Sequence, residues 1–443
     1  MSKVNRRDFL KTTAGAAVGA SLLTGGGLLT PPADAADAWK NTPEKGASLR
    51  VLRWKRFVQG EEDAYMANVK KFTEKFNIPV RVDSEGWEDV RPKAAVAANV
   101  GSGPDIILST HDDPSLYPEK LVDVSDVANY LGKKYGGWYP VGEAYCKRGS
   151  NWIALPLGIA GTCIVYRESQ VKAAGFDKFP TDTDGFLKLM QGLKKKNTPG
   201  GFALGHATGD GNSWTHWCLW AFGGKLVDAN SNVVINSPET IKALEYAKEL
   251  YQTFVPGTLS WLDPSNNKAF LDGQVSLTGN GISIYYAAKN SKDPKVMAMT
   301  ADIQHANMPV GPIGVPAELS LFFNQMLFKY SKYPKAAKEY LRFMMEEEQY
   351  GAWLQGGIGY VSQPLKAYYN NPIWTVDPKH GPYREIIKNM RPIGYAGRSG
   401  YASAGAAADF IVVDMMAEAA SGKETPKAAA ERAEKRAQRY YKV

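Results

Sequence analysis

Polar and aromatic side chains follow three predicted strands in the first third of the chain, at positions where a small polar molecule could be held. Carboxylate and amide groups form hydrogen bonds with hydroxyl groups, and the charge-assisted bonds are the stronger ones. Aromatic rings offer apolar faces that pack against C–H groups. The candidate binding residues in this part of the chain are Trp54, Gln59, Trp87, His111, Asp112 and Asp113.

Three of these candidates also have a plain structural interpretation. Asp112 and Asp113 precede Pro114, and D-D-P is a sequence typical of turns. Trp87 could equally be a partly buried packing residue. The sequence alone leaves both interpretations open.

Further candidates lie in the second half of the chain. Trp214 opens an aromatic segment, S-W-T-H-W-C-L-W-A-F, which predicts a helix that buries one face. Glu318 and Tyr360 lie beside Pro- and Gly-rich stretches, and Arg398 lies in the loop G-R-S-G-Y. Arg398 could grip an acidic group on a ligand or bond backbone carbonyl oxygens.

The chain lacks the short motifs of several enzyme classes. It contains no G-x-S-x-G, H-E-x-x-H, G-x-G-x-x-G or C-x-x-C. The cysteines Cys146, Cys163 and Cys218 show no metal-ligand spacing, so we expect neither a metal nor a cofactor, and a Cys146–Cys163 disulfide stays open. Paired carboxylates of a glycoside hydrolase need no local spacing, so that class also stays open. The net charge of +8 is spread without a dense basic run, which disfavours nucleic acid as a partner.

The first residues of the chain are typical of an export signal. N-R-R-D-F-L-K at 5–11 resembles a twin-arginine motif, and an Ala/Gly/Leu run and an A-x-A cleavage pattern at 33–35 follow it. The run is too short and Gly-rich to remain as a membrane span, and no Cys follows it to carry a lipid anchor. We therefore predict a twin-arginine signal peptide over residues 1–35 and a periplasmic mature protein.

Strands and helices alternate after the signal. Ala47–Trp54, Ile78–Asp83 and Asp105–Leu108 read as strands, with helical spacing between them. This order predicts a parallel sheet, in which ligands bind beyond the carboxyl ends of the strands. Further along, the pattern predicts a strand at Gly201–Gly205 and unbroken helices over Pro334–Leu354 and Ala402–Ala420.

The apolar run Trp152–Arg167 predicts a passage between two lobes. Pro156, Gly158 and Gly161 interrupt it, and a single central strand would not carry all three, so we expect two strands joined by a bend. Stretches at 307–316 and 356–364 predict two more crossings. We expect one lobe from 36–158 plus 312–363, another from 159–311 plus 364–443, and a cleft between them.

Six motifs in order carry a resemblance to a known family. They are G-S-G-P-D-I-I-L (101–108), I-A-L-P-L-G…I-V-Y-R-E (153–168), A-A-G-F-D-K-F-P-T-D (173–182), W-A-F-G-G-K-L-V-D (220–228), A-F-L-D-G-Q-V-S-L-T-G-N-G (269–281) and A-A-K-E-Y-L-R-F-M-M-E-E-E (336–348). The chain resembles the family 1 extracellular solute-binding proteins of bacterial ABC importers, the group that includes maltose-binding protein. It departs from the family in having Arg167-Glu168 where an N-K pair is common after the hinge tyrosine.

The resemblance implies an α/β, two-lobed periplasmic binding protein type II fold with three hinge crossings. It implies a monomer, not an enzyme, that closes on a sugar, oligosaccharide or polyol and delivers it to the transmembrane subunits of an ABC permease. Asp112 matches a ligand-binding carboxylate of the family, and Asn280 lies in a ligand loop. The alternatives are a phosphorylated or other charged solute, such as glycerol phosphate or a polyamine, and an exported carbohydrate-active enzyme.

Overall fold

The computed structural model describes residues 39–442, so the predicted signal peptide lies outside the described residues. The strands are β1 (Leu49–Trp54), β2 (Val80–Glu85), β3 (Ile106–Thr110), β4 (Lys147–Arg148), β5 (Asn151–Trp152), β6 (Leu155–Ala160), β7 (Cys163–Arg167), β8 (Leu277–Asn280), β9 (Ile303–Ala306) and β10 (Leu321–Leu327). The helices are α1 (Gln59–Phe76), α2 (Trp87–Val100), α3 (Ser125–Lys134), α4 (Pro140–Cys146), α5 (Glu168–Ala173), α6 (Thr183–Lys195), α7 (Asp210–Ala221), α8 (Pro238–Tyr251), α9 (Ser265–Leu271), α10 (Ser283–Lys289), α11 (Pro294–Asp302), α12 (Pro334–Met344), α13 (Glu347–Gly356), α14 (Ile373–Val376), α15 (Gly381–Asn389), α16 (Tyr401–Ala408), α17 (Ile411–Ser421) and α18 (Pro426–Ala437).

The first sheet has the strand order β2-β1-β3-β10-β6. The strand β1 runs parallel to β2 and β3, as the sequence predicts, whereas β10 is antiparallel to both of its neighbours. The residues of β3 and β10 are buried throughout, including the polar side chains of Ser109, Thr110, Asn324 and Gln325. The carboxyl ends of β1, β2 and β3 therefore meet at one edge of the sheet.

The second sheet has the order β8-β7-β9 and is antiparallel throughout. The parallel arrangement predicted for the first strands does not extend to it. The strand predicted at Gly201–Gly205 is wrong, because this segment runs as irregular chain and only Gly200 forms single bridges, to Phe254 and Leu277.

The passage from the first sheet to the second lies between Ala160 and Cys163. The sequence predicts the bend between Leu157 and Thr162, and the structure places it at the far end of that range, because Pro156 and Gly158 lie inside β6. An edge strand tolerates them, and the register shifts opposite them between Phe323 and Asn324. A side chain at Gly158 would not fit, because its Cβ would lie 2.1 Å from Cγ1 of Val361.

The other two passages lie close to the first. The chain leaves the second sheet after β9 and re-enters the first sheet at β10. The segment after α13 then pairs with β6, where the Ser362 amide donates to the Ile159 carbonyl at 2.7 Å and the Ile159 amide donates back at 3.0 Å. The three crossing segments thus share a common region between the two sheets.

Two predicted long helices are each divided in the structure. The break between α12 and α13 is at Glu346, whose backbone is extended and whose carboxylate accepts bonds from Arg342, Lys134 and Tyr135. The break between α16 and α17 is at Phe410, which has φ 49° and so lies in the left-handed region. Helical periodicity continued across both breaks, so the sequence pattern did not reveal them.

The described residues contain three free cysteines, all buried, so the Cys146–Cys163 disulfide left open by the sequence is not present. Among residues 39–442, no helix is both long enough and apolar enough to span a bilayer.

Candidate functional site

A cavity lies where the carboxyl edge of the first sheet faces elements of the second. On the first side it is lined by Phe57, Trp87, Ala160, Leu321 and Tyr360. On the second side it is lined by Thr162, Gly209, Asp210, Asp263, Asn280, Gly281 and Ser283. One wall is therefore mostly aromatic and apolar, and the other is mostly polar.

The aromatic wall is supported by stacked rings. Trp87, the first residue of α2, lies 5.0 Å from Trp54 and 5.2 Å from Phe323 between ring centroids. Phe57, which follows β1, is stacked on Tyr360 of the third crossing at 6.3 Å. Stacking holds the rings in fixed orientations, so the wall is formed before any solute arrives.

The polar wall is organised around the start of α7. The carboxylate of Asp263 accepts bonds from the backbone amides of Gly209 at 3.1 Å and Asp210 at 2.8 Å, which have no partner within the helix. The amide of Asn266 donates to Oδ2 of Asp210 at 2.8 Å. Asn280 at the end of β8 donates in turn to Oδ1 of Asn266 at 3.2 Å. These bonds fix both carboxylates beside the cavity.

Two neighbouring acidic side chains, Asp210 and Asp263, determine the electrostatics of the polar wall. Burial and the neighbouring Asp263 raise the pKa of Asp210 well above its ordinary value. Burial raises the pKa of Asp263 to about 6, although backbone amides oppose the shift. Ionisation of either group therefore makes ionisation of the other less favourable.

The cavity is narrow, with a volume of about 30 Å³. That is room for a water molecule or two, against roughly 300 Å³ or more for a site that encloses a drug-sized solute. The backbone amide of Gly60 donates to the hydroxyl of Tyr286 at 2.9 Å, joining the two sides. The two sides must therefore separate before a solute can enter the cavity.

Three of the predicted binding residues line the cavity: Trp87, Asn280 and Tyr360. Trp54 lies behind Trp87 and is fully buried. Gln59 is exposed at the start of α1 and donates to Asp63 at 2.7 Å.

The structure places His111, Asp112 and Asp113 in a sealed cluster away from the cavity wall. Asp113 accepts a hydrogen bond from Ser109 at 2.6 Å and forms an ion pair with Arg91 at 2.8 Å. These contacts agree with the interpretation of D-D-P as a structural turn. Asp112 accepts a bond from Ser403 of α16, and burial raises its pKa to about 7. Neither ring nitrogen of His111 has a partner among the described residues, and burial lowers its pKa to about 3.

The remaining predicted residues also lie outside the cavity wall. Trp214 is a core residue whose indole N–H donates to the Ala203 carbonyl at 2.6 Å. Glu318 is buried on the second crossing, and burial raises its pKa to about 8. Arg398 is exposed.

Five polar or aromatic residues of the cavity were not predicted from the sequence: Phe57, Thr162, Asp210, Asp263 and Ser283. Asp210 lies between two glycines and Asp263 precedes a proline, so each carries the local signature of a turn. The signal that could have indicated Asp210 is its position at the beginning of the aromatic helix.

Comparison with known proteins identifies the family of this chain. Residues 67–382 match the model of the family described as bacterial extracellular solute-binding protein. The chain belongs to this family. Residues 3–22 match the signal sequence of the twin-arginine translocation pathway, so this solute-binding protein is exported to the periplasm by that route.

Curated relatives of this solute-binding protein are components of ABC transporters. YcjN of Escherichia coli, named as an ABC transporter periplasmic-binding protein, is 22% identical over 72% of this chain and 73% of its own length. An ABC transporter-binding protein of Deinococcus radiodurans is 22% identical over 44% of this chain and 48% of its own length.

Solved structures of similar fold include T. maritima MalE3 with bound maltose, at a TM-score of 0.76 and 17% identity over 88% of this chain and 99% of that one. A sugar transporter protein of Arthrobacter chlorophenolicus with bound laminaribiose has a TM-score of 0.76 and 17% identity over 89% of this chain and 99% of that one. A solute-binding protein of Agrobacterium radiobacter in complex with ribitol has a TM-score of 0.74 and 16% identity over 90% of this chain and 100% of that one.

These comparisons confirm the two-lobed type II fold and the ABC transporter family predicted from the sequence. The chain is a solute-binding protein of an ABC transporter and not an enzyme. Within residues 39–442, no group of three or more His, Cys, Asp and Glu side chains is arranged to hold a metal ion.

Proposed function

We propose that this protein captures a sugar, oligosaccharide or polyol in the cleft between its lobes and delivers it to the transmembrane subunits of its permease. The observation that carries the proposal is the pairing of an aromatic wall with a wall of carboxylate, amide and hydroxyl groups. Ring faces suit the C–H side of a sugar, and carboxylate oxygens suit its hydroxyl groups.

The proposal assigns residues 36–158 plus 312–363 to one lobe and 159–311 plus 364–443 to the other. The end of β6 at Ala160 and the start of β7 at Cys163 support a passage near the first of these boundaries. We propose that the protein acts as a monomer and binds no nucleic acid.

The structural neighbours support a solute with several hydroxyl groups. Those described above were solved with maltose, laminaribiose or ribitol, which share several hydroxyl groups and no charge. A phosphorylated solute fits this cavity less well, because none of the described residues that line it is positively charged.

Calorimetry and thermal shift with sugars, polyols, glycerol phosphates and polyamines test the proposal. A ligand at a hundred times its Kd stabilises the folded state by about 2.7 kcal/mol, and hinge closure reduces the radius of gyration. Binding of glycerol phosphates alone, or conversion of a sugar to a product, would overturn the proposal.

A pair of variants locates the site. Asn280→Ala removes a cavity amide, whereas Asn290→Ala removes an exposed amide that donates to the Tyr286 carbonyl at the end of α10. We expect the first to weaken binding at least about tenfold, or 1.4 kcal/mol, and the second to leave it unchanged. Equal affinities for the two variants would place the solute elsewhere.

A further inference from the structure

We propose that the solute carries a protonated amine on a polyhydroxy frame, as in an amino sugar or amino polyol, and that Asp210 and Asp263 receive the ammonium group. The inference rests on the proposed function and narrows its solute class. It stands on three features of the cavity: its charge, an unused hydroxyl group and an unused carboxylate oxygen.

The cavity is lined by two acidic side chains that no basic side chain among the described lining residues balances. Asp210 and Asp263 both line it, and Glu88 in the first turn of α2 raises the pKa of Asp263 further, after burial. No described lining residue is a Lys, Arg or His. Behind the wall, Arg53 is neutralised by Glu61, because its Nη2 lies 2.6 Å from both oxygens of that carboxylate. The charge of the acidic pair is therefore left for a ligand.

The hydroxyl of Tyr360 provides the independent observation. This side chain is only 5% exposed and lines the cavity, yet its hydroxyl bonds to no described residue. Burial raises the pKa of Tyr360 well above its ordinary value, with Glu61, Asp263 and Asp210 adding to the shift, so the hydroxyl keeps its proton. This hydroxyl is a donor on the cavity wall without a partner among the described residues, and a ligand hydroxyl oxygen can accept its hydrogen bond.

The unused carboxylate oxygen is Oδ1 of Asp210. Its partner Oδ2 accepts the bond from Asn266, but no described residue donates to Oδ1. An ammonium group supplies donors and a positive charge at once, whereas a neutral hydroxyl leaves the repulsion between the two carboxyl groups in place. The rings of Phe57, Trp87 and Tyr360 on the opposite wall are favourable neighbours for such a cation.

The test measures three matched pairs by isothermal titration calorimetry at pH 7 and low salt. The pairs are glucosamine with glucose, the deacetylated chitin disaccharide with cellobiose, and 1-amino-1-deoxysorbitol with sorbitol. We expect the amine to bind at least tenfold more tightly in at least one pair, and the preference to shrink as salt is added. Equal or tighter binding of every neutral partner would overturn this inference and leave the proposed function intact. Failure of all six compounds to bind would overturn both.

Charge-neutral variants assign the preference to the cavity. Asp210→Asn keeps an oxygen that can accept from Asn266 and removes the negative charge, whereas Asp184→Asn removes the charge of an exposed carboxylate in the first turn of α6. We expect Asp210→Asn to cut the ratio of amine affinity to neutral-partner affinity at least fivefold. Asp184→Asn should retain the full preference. A preference that survives Asp210→Asn, or falls equally in both variants, would overturn the assignment.

Discussion

The protein contains two buried acidic clusters that differ in what lies beside them. Asp112 is 0% exposed and is enclosed by α16, whose Ser403 donates to it. Asp210 and Asp263 are held as firmly by backbone and amide donors, but they border a cavity. Burial raises the pKa of Asp112 as well as those of Asp210 and Asp263. A perturbed carboxylate therefore indicates a binding group only where space for a ligand adjoins it.

The largest effect on stability should come from Asp263→Ala, which tests whether the cavity carboxylates are also structural. The backbone amides of Gly209 and Asp210 would lose their acceptor in a buried place, so we expect the free energy of unfolding to fall by about 3 kcal/mol. Urea denaturation at pH 7 measures it, with Asp263→Asn as the variant that keeps an acceptor. An unchanged midpoint for Asp263→Ala would contradict this structural role.

Asp112→Asn tests the sealed cluster through its pH dependence. The pKa of Asp112 is raised to about 7 in the folded state, so the folded protein holds this proton while the unfolded chain has lost it above about pH 4. The associated stability is present at low pH and is lost as pH rises through 7. We expect the stability of the Asn variant relative to the wild type to be greater at pH 8 than at pH 5, by roughly 2 kcal/mol.

The same variant separates the two clusters functionally. Because Asp112 does not line the cavity, solute affinity should change less than twofold in Asp112→Asn. A severe loss of affinity with unchanged stability at both pH values would instead support the ligand-binding role that the family resemblance implied for Asp112.

Trp214→Phe should have a smaller effect, on stability alone. The change removes the indole N–H bond to the Ala203 carbonyl and leaves a small void in the core, costing about 1–2 kcal/mol. Thermal denaturation with and without solute measures both quantities. Weakened binding at constant stability would place Trp214 in the site after all.

The smallest effect on stability should come from Tyr360→Phe. Its hydroxyl has no partner among the described residues, so the free energy of unfolding should change by less than about 0.5 kcal/mol. Solute affinity should nevertheless fall about tenfold. Tyr251→Phe, on the outer end of α8, is the control that should change neither quantity. Unchanged affinity in Tyr360→Phe would remove its hydroxyl from the site.

The sequence predicted the elements where the local pattern and the tertiary environment agree. The strands predicted at Ala47–Trp54, Ile78–Asp83 and Asp105–Leu108 are present as β1, β2 and β3, with ends that differ by at most two residues. The prediction was wrong at Glu346 and Phe410, where backbone conformation breaks a continuous apolar face. It was also displaced in β6, because only pairing with β10 shows that Pro156 and Gly158 occupy an edge.

The candidate site was predicted only in part for a similar reason. Trp87, Asn280 and Tyr360 lie where strand ends or crossings could be recognised. Asp263 is brought to the start of α7 from a turn some fifty residues later, and no local pattern reports such a long-range contact. Asp112 carried the clearest motif, but α16 covers it from the far end of the chain.

The hydrogen bond between Gly60 and Tyr286, and a cavity large enough only for water, have a consequence for the apparent affinity. A closed molecule has no accessible binding surface for the solute. Binding therefore occurs only to the fraction of molecules that are in the open state. The measured Kd is then the intrinsic constant divided by that fraction. Loosening this single hydrogen bond would raise apparent affinity without adding any contact to the cargo.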